Sequence, residues 1–462
     1  MDSAAPTEAW FYAHLIEPRC EIADPGDLRR LHREWPERYP FLLQSTARDG
    51  KLGRFDILFA FPGETLELDT NGRLRGAAAV GADTFLGALD RWWLAERAAS
   101  SDEVLPFLGG WFLYLGYELA AEIETGLHLT RDSVLPAAFA VRCETALVFD
   151  HQRATCFLVS EQETCAHSAT IQSDVQSLKE FDTTTTTTIQ SVQEDLPDRF
   201  LKAVECAKER IAAGDIYQAN LSRNWSVELG VDTAASDIYA ALCQVNPGPF
   251  AGIARWQDVE ILSSSPERLL SIRHGIAATR PIAGTRPRSE DDDTDNALSA
   301  ELLAHPKEVA EHVMLIDLER NDLGRICEAG TVAVDEMMVL ESYAHVHHIV
   351  SNVTGRLRPG VTPGEAIAAV FPGGTITGCP KVRCMEIISE LEDTARGAYT
   401  GSFGYLNRDG SLDLNILIRT MVKRGSKLDF RAGAGIVADS DADAELQETR
   451  AKAEGMLRAL AQ

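Results

Sequence analysis

Hydrophobic positions along the chain follow two rhythms. The first 150 residues are dominated by short alternating runs such as Arg54-Phe55-Asp56-Ile57-Leu58-Phe59-Ala60-Phe61 and Ala146-Leu147-Val148-Phe149, and Gly109-Gly110-Trp111-Phe112 opens another. Gly, Pro and Asp punctuate these runs, which predicts strands joined by turns. Further along, apolar residues recur at helical spacing over 201–213 and stop at Gly214, a good C-cap. A strand is predicted over 217–225, a helix over 306–322 and an amphipathic helix over 382–391. Residues 411–423 read as one strand, with Leu412, Leu414, Ile416 and Ile418 on one face and Asp413, Asn415, Leu417 and Arg419 on the other. A final helix is predicted over 442–460. Between the two rhythms lies a polar stretch, 161–195, with six consecutive threonines, Thr183 to Thr188. Such a run cannot pack a core and predicts an exposed connector. No internal repeat is visible.

Composition narrows the picture. The chain has 462 residues, 45% of them hydrophobic, enough for one large two-lobed molecule or two ordinary domains. Its 70 Asp and Glu against 44 Lys and Arg leave a formal charge of −26. That field repels nucleic-acid phosphates and anionic membrane surfaces, so neither is an expected partner. No apolar run reaches the roughly 18 residues of a membrane helix. The opening Met1-Asp2-Ser3-Ala4-Ala5-Pro6 lacks the basic and apolar blocks of a signal peptide, which reads as cytoplasmic. Nine cysteines, scattered from Cys20 to Cys384, show no paired metal-ligand spacing. Cys379 and Cys384 read as buried thiols at a helix start.

Several segments could carry chemistry, and each also has an ordinary reading. Glu308 with Glu311, and Glu445 with Glu448 and Lys452, share helical faces by their three- and four-residue offsets. Two such ridges across a cleft would suit magnesium, although solvated helix faces look the same. In Phe371-Pro372-Gly373-Gly374-Thr375-Ile376-Thr377-Gly378-Cys379-Pro380-Lys381 the glycines let amides approach an anion at a helix start, or simply make a tight turn. Arg419 precedes Arg431-Ala432-Gly433-Ala434-Gly435-Ile436, where strand glycines allow close approach of a ligand or of backbone. The acids of 290–295 and 439–443 read as solvated loops.

In combination these segments become specific. Ser265-Pro266-Glu267, Pro281-Ile282-Ala283-Gly284-Thr285-Arg286-Pro287-Arg288, Glu311-His312 with Asp317-Leu318-Glu319-Arg320-Asn321-Asp322, the 372–381 loop, Ile418-Arg419-Thr420, Ala432 to Val437, and Glu448-Thr449 with Lys452 occur in a single order. That order resembles the chorismate-utilising enzymes, which include the large subunits of anthranilate synthase and aminodeoxychorismate synthase, isochorismate synthase and salicylate synthase. The resemblance covers about residues 195–462 and extends weakly through the first 150. It implies an α+β fold of two large, mainly antiparallel sheets in a sandwich with helices outside. It also divides the chain into an N-terminal region, 1–160, the linker 161–195, and a chorismate-binding catalytic domain, 196–462.

Carried over position by position, the resemblance implies magnesium held by Glu311 and Glu448, with Glu308 and Glu445 as their partners. Glu267 resembles the general acid that protonates the departing hydroxyl, and His348 the active-site histidine. Thr375, Tyr399, Arg419, Lys452 and the backbone at Gly433 and Gly435 match positions that hold the substrate carboxylates. Isochorismate and salicylate synthases carry a lysine base where this chain has Gln218, so an ammonia-using member is implied. Tyr217-Gln218-Ala219-Asn220-Leu221 and Val346-His347-His348-Ile349-Val350 resemble the aminodeoxychorismate synthase large subunit, which makes the 4-amino product. Ala283 points the other way, to anthranilate synthase, because many 4-amino enzymes carry a lysine nucleophile there. No glutaminase Cys-His-Glu arrangement is recognisable, which implies a separate glutamine amidotransferase or free ammonium as the ammonia source. Retention of Glu267, the four helix glutamates, Arg419 and Lys452 weighs against a noncatalytic regulatory subunit binding chorismate or tryptophan. Gln44 replaces the acid of the family's Leu-Leu-Glu-Ser tryptophan sequence, so feedback by tryptophan is not expected.

Overall fold

The computed structural model describes residues 19–22, 26–47, 53–99, 104–162, 166–178, 187–231, 233–289, 291–343 and 346–461. The opening hexapeptide and Thr183 to Thr186 lie outside them. Two sheets dominate. The first runs, from edge to edge, through strands 19–22, 155–160, 145–150, 55–60, 41–44, 250–256, 259–265, 420–424, 427–436, 218–229 and 189–194, with the short 378–379 strand added beside 218–229. The second runs through 282–287, 346–356, 276–280, 268–273, 412–415, 402–407, 110–115, 138–143, 65–68 and 74–75, with 333–342 beside 346–356. The strand pairs of both sheets are antiparallel, including 218–229 with 427–436 and 402–407 with 110–115.

Alternation explains the layering. One face of each sheet meets the other, and Phe41 of the first stacks on Phe112 of the second with ring centroids 4.0 Å apart. Phe59, Phe139, Phe403 and Leu417 complete that inner core. The outer face of the first sheet is covered by helices Arg29–Glu34, Ala235–Val245 and Ala442–Leu460, and that of the second by Phe85–Glu96, Pro306–Gly324 and Pro363–Val370. Helices therefore lie outside a sandwich, as the resemblance implied.

Segments 1–160 and 196–462 do not separate in space, because both contribute strands to both sheets. Phe41–Gln44 pairs with Phe250–Trp256, and Gly110–Leu115 pairs with Ser402–Asn407. The 161–195 stretch is also more ordered than its composition predicted. It contains the helix Ser168–Ser177 and the strand Ile189–Glu194, which pairs with 218–229. That strand is an exposed edge held by backbone hydrogen bonds, and such bonds leave no trace in hydrophobic periodicity.

Two further expectations change. Residues 411–423 form two strands: Leu412–Asn415 belongs to the second sheet, Thr420–Arg424 to the first. The chain crosses between sheets at 416–419, where Arg419 takes a left-handed φ of 50° that an extended strand does not allow. Of the acids read as loops over 290–295 and 439–443, Asp439 lies in a turn, while Asp291, Asp441 and those that follow them form helix starts. Asp291 caps helix Asp292–Ala304, and Asp441 caps Ala442–Leu460 by accepting the Ala444 amide at 2.9 Å. Negative charge there complements the helix dipole.

Candidate active site

The seam between the sheets is built by a second crossing beside the first. Strand Val259–Ser265 leaves the first sheet, and Arg268–Arg273 enters the second immediately after Pro266 and Glu267. Ser265 stitches the crossings together. Its hydroxyl donates to the Ile416 carbonyl at 2.5 Å and accepts the Glu267 amide at 3.2 Å, while the Ile416 amide donates to the Glu267 carbonyl at 3.0 Å. Glu267 and Arg419 thus stand at neighbouring turns of the chain, each where a strand changes sheets.

Glu267 is almost wholly buried. Burial is the main cause that pushes its carboxyl from 4.5 up to about 8, reinforced by the charge of nearby Glu319 and opposed by the Thr375 hydroxyl and the Ile282 amide. The Thr375 hydroxyl is in electrostatic reach without being aligned for a hydrogen bond, since neither Thr375 Oγ1 nor Glu267 Oε1 has a partner. Glu319, also buried, is shifted upward by desolvation and by Asp322. Asp322 accepts Lys381 Nζ at 2.5 Å, and Lys381 also donates to the Val370 carbonyl. The lysine of the glycine loop therefore fastens that loop's ends and is not a free anion ligand.

His348 lies opposite Thr285 in the ladder between 282–287 and 346–356, and Ala283 lies opposite Ile349. Its Nδ1 is 2.9 Å from Thr285 Oγ1, and its buried Nε2 has no partner. Desolvation first, then the positive charge of Arg419, lowers its pKa to about 3, so the imidazole is neutral near pH 7. Arg419 keeps part of its surface open, yet its guanidinium is deep enough that desolvation lowers its pKa. Among the described residues no carboxylate pairs with it.

A second group gathers at the end of strand Lys427–Ile436. A Cβ on Gly433 would stand 2.6 Å from both Asn220 Oδ1 and the Tyr399 hydroxyl, and one on Gly435 would stand 2.5 Å from Gln218 Nε2. Glycine is required at both positions for these side chains to close in. Lys452 Nζ donates to the Gly433 carbonyl at 2.9 Å and pairs with Glu448 at 2.7 Å. Gln218 Nε2 donates to Glu311 Oε1 at 2.9 Å. The loop joins the two groups, because the Asn220 amide donates to the Thr377 carbonyl and the Tyr217 amide to that of Cys379.

Of the four helix glutamates, Glu311 and Glu448 face this second group. Glu308 approaches Gly284 and accepts Arg286 Nη1 at 3.3 Å, while Glu445 is buried and accepts the Ser440 hydroxyl at 2.7 Å. Among the described residues no three His, Cys, Asp or Glu side chains come together as a metal cluster. The sequence alone gave no role to Glu319, Asn220, Thr279 or Thr285, although Glu319, Asn220 and Thr285 lie inside the motifs that carry the resemblance. What marks the seam most clearly is its unmet hydrogen-bonding capacity: Glu267 Oε1, His348 Nε2, Thr375 Oγ1, Thr279 Oγ1, Gln218 Oε1 and Asn220 Oδ1 are all buried without partners. Each such atom costs about 1–3 kcal/mol, so their concentration points to a polar ligand that satisfies them.

Residues 41–458 match the family described as chorismate binding enzyme. The chain belongs to that family. It is 43% identical over 370 residues to an anthranilate synthase component I-like protein of Synechocystis, covering 78% of this chain and 74% of the relative. It is 41% identical to aminodeoxychorismate synthase component 1 of Bacillus subtilis, covering 81% and 82%. With anthranilate synthase component 1 of Geobacillus stearothermophilus the identity is 36%, covering 98% and 93%. The crystal structure of anthranilate synthase component I from Streptococcus pneumoniae superposes with a TM-score of 0.76 at 34% identity, covering 87% of this chain and 92% of that one. The menaquinone-specific isochorismate synthase of Escherichia coli shares the fold, with a TM-score of 0.74 at 18% identity over 96% and 94%. In this chorismate-binding enzyme no helix among the described residues is long and apolar enough to cross a membrane. Gln44 donates to Asp56 at 2.9 Å and accepts the Tyr239 hydroxyl at 3.3 Å.

Proposed function

We propose that the chain is an aminodeoxychorismate synthase component I, which replaces the 4-hydroxyl of chorismate with ammonia supplied by a separate glutamine amidotransferase, toward 4-aminobenzoate and folate. The observation that carries the amination reading is Gln218. A water-using member needs a base at this position, and here a neutral amide is committed to Glu311. The segments 217–221 and 346–350, which resemble the 4-amino enzymes, select among the ammonia users.

The chain's own groups divide the work. Glu267, held protonated by burial, donates the proton that lets the hydroxyl leave. Arg419, Tyr399 and Lys452, with Thr375 and the backbone at Gly433 and Gly435, hold the two substrate carboxylates. His348 is neutral, so its open Nε2 serves as a hydrogen-bonding group and not as a charge. Magnesium is the ion this reading calls for, because it takes one or two hard carboxylates and completes its shell with water and substrate oxygens. Glu311 and Glu448 would hold it, with Glu308 and Glu445 as the partners the resemblance implies. When bound, the ion supplies positive charge against the ring carboxylate in a protein whose net charge is −26.

A second reading, anthranilate synthase component I, is favoured by Ala283, whose methyl offers no nucleophile on strand Ile282–Pro287. Either reading requires ammonia. Purified chain given chorismate, magnesium and ammonium should consume chorismate only while ammonium is present. Isochorismate formed without ammonium would contradict both.

A further inference from the structure

Behind the second group of site residues lies a buried ion network that the chemistry above does not use. Glu392, at the end of helix Lys381–Leu391, sits between two arginines. Arg396 contacts it through Nε at 3.0 Å and Nη2 at 2.7 Å, and Arg431 Nη2 contacts it at 3.0 Å. Burial alone would push the Glu392 carboxyl up, but the two arginines hold it below the usual range. The same carboxylate accepts the amide and hydroxyl of Ser222, at 2.8 and 3.0 Å.

Arg396 reaches further than charge pairing requires. Its Nη2 donates to the Asn220 carbonyl at 2.7 Å, and its Nη1 to the Ile376 carbonyl at 3.1 Å. The guanidinium lies over the ring of Tyr117, 4.9 Å from its centroid, and over that of Tyr399, 5.7 Å from its centroid. The Tyr399 amide donates to the Arg396 carbonyl at 3.0 Å. From the N-terminal part of the chain, Glu118 accepts the amides of Arg396 and Gly397 at 2.9 and 3.0 Å. One side chain therefore contacts Asn220, the residue following Thr375, and the ring of Tyr399.

We propose that Arg396, braced by Glu392 and Tyr117, is a positioning residue: it holds Tyr399, Asn220 and the Thr375 loop in the spacing that receives a substrate carboxylate, without touching the substrate itself. This rests on the reading of Tyr399 as a substrate-holding group. The planar fork matters, because a lysine keeps the charge but carries its donors on one nitrogen, which does not span the acceptors that Nε, Nη1 and Nη2 reach separately. The Tyr117-Glu118 pair, from the N-terminal part of the chain, thereby gains a role at the site.

A double-mutant cycle on kcat/KM for chorismate tests it, using Arg396→Lys, Tyr399→Phe and the double variant in the full chain, with thermal unfolding measured in parallel. Each single change should lower kcat/KM by about tenfold or more, and the double variant should be no slower than the worse single variant by more than about threefold. Losses that multiply, to about a hundredfold, would overturn the positioning role while leaving Tyr399 in the site. An unchanged Tyr399→Phe enzyme would remove Tyr399 from the site and the proposal with it. If Arg396→Lys does not fold, Glu392→Gln keeps the shape, removes the bracing charge, and carries the same cycle with the same two outcomes.

Discussion

Glu267, the proposed general acid, is a carboxyl that burial keeps protonated near neutral pH. Its folded-state pKa, about 8, lies above the ordinary 4.5, so the folded protein binds more protons than the unfolded chain between those values. Stability is therefore lost as pH rises through that window, by on the order of a few kcal/mol in all. Glu267→Gln escapes the penalty: it should melt higher than the parent, with a margin that is larger at pH 8 than at pH 5. The same change should lower turnover by about 10²–10⁴ and remove the alkaline fall expected of the parent above about pH 8. A variant that melts lower at every pH would contradict the burial account. This residue was legible in the sequence only through its neighbours, because an isolated strand-end glutamate gives no sign of its burial. Asn220 and Thr279 were harder still, since an unpartnered oxygen is a property of packing. Arg396 and Glu392 escaped notice because their partners come from four distant stretches of chain.

At the level of elements, the site depends on two strands that change sheets side by side. Alternation in 411–423 marked buried positions correctly at Leu412 and Leu414, but it continues across a crossing that moves the chain from one sheet to the other. Periodicity reports which side chains are inside and is silent about which sheet holds them. The long helices were easier, since 442–460 carries both its period and its cap in local sequence. Ser265 fastens the crossings by two hydrogen bonds. Ser265→Ala should cost about 1–3 kcal/mol, seen as a lower unfolding midpoint, and should slow turnover because the Glu267 backbone loses its anchor. Unchanged stability with unchanged turnover would show that the crossings hold without it.

The whole molecule is one interleaved sandwich, not a catalytic domain with an appendage. Strand Ser402–Asn407 is paired along its length with Gly110–Leu115, and Phe41 packs into the core shared by both sheets. A chain beginning at residue 196 would lose most of the inner core and expose those edges. It should show no cooperative unfolding transition in calorimetry and no chorismate turnover, and a sharp transition would contradict the interleaving. The charge of −26 takes on a narrower meaning at this scale. An acidic molecule that handles a dianion must concentrate its cations, and Arg419 and Lys452 are the two proposed to meet it. The identity of the aminated product tests the proposed function most directly. Purified chain is supplied with chorismate, magnesium and ammonium, with and without a pyruvate-eliminating lyase. 4-Aminobenzoate should appear only when the lyase is present, and anthranilate fluorescence arising without it would contradict the assignment.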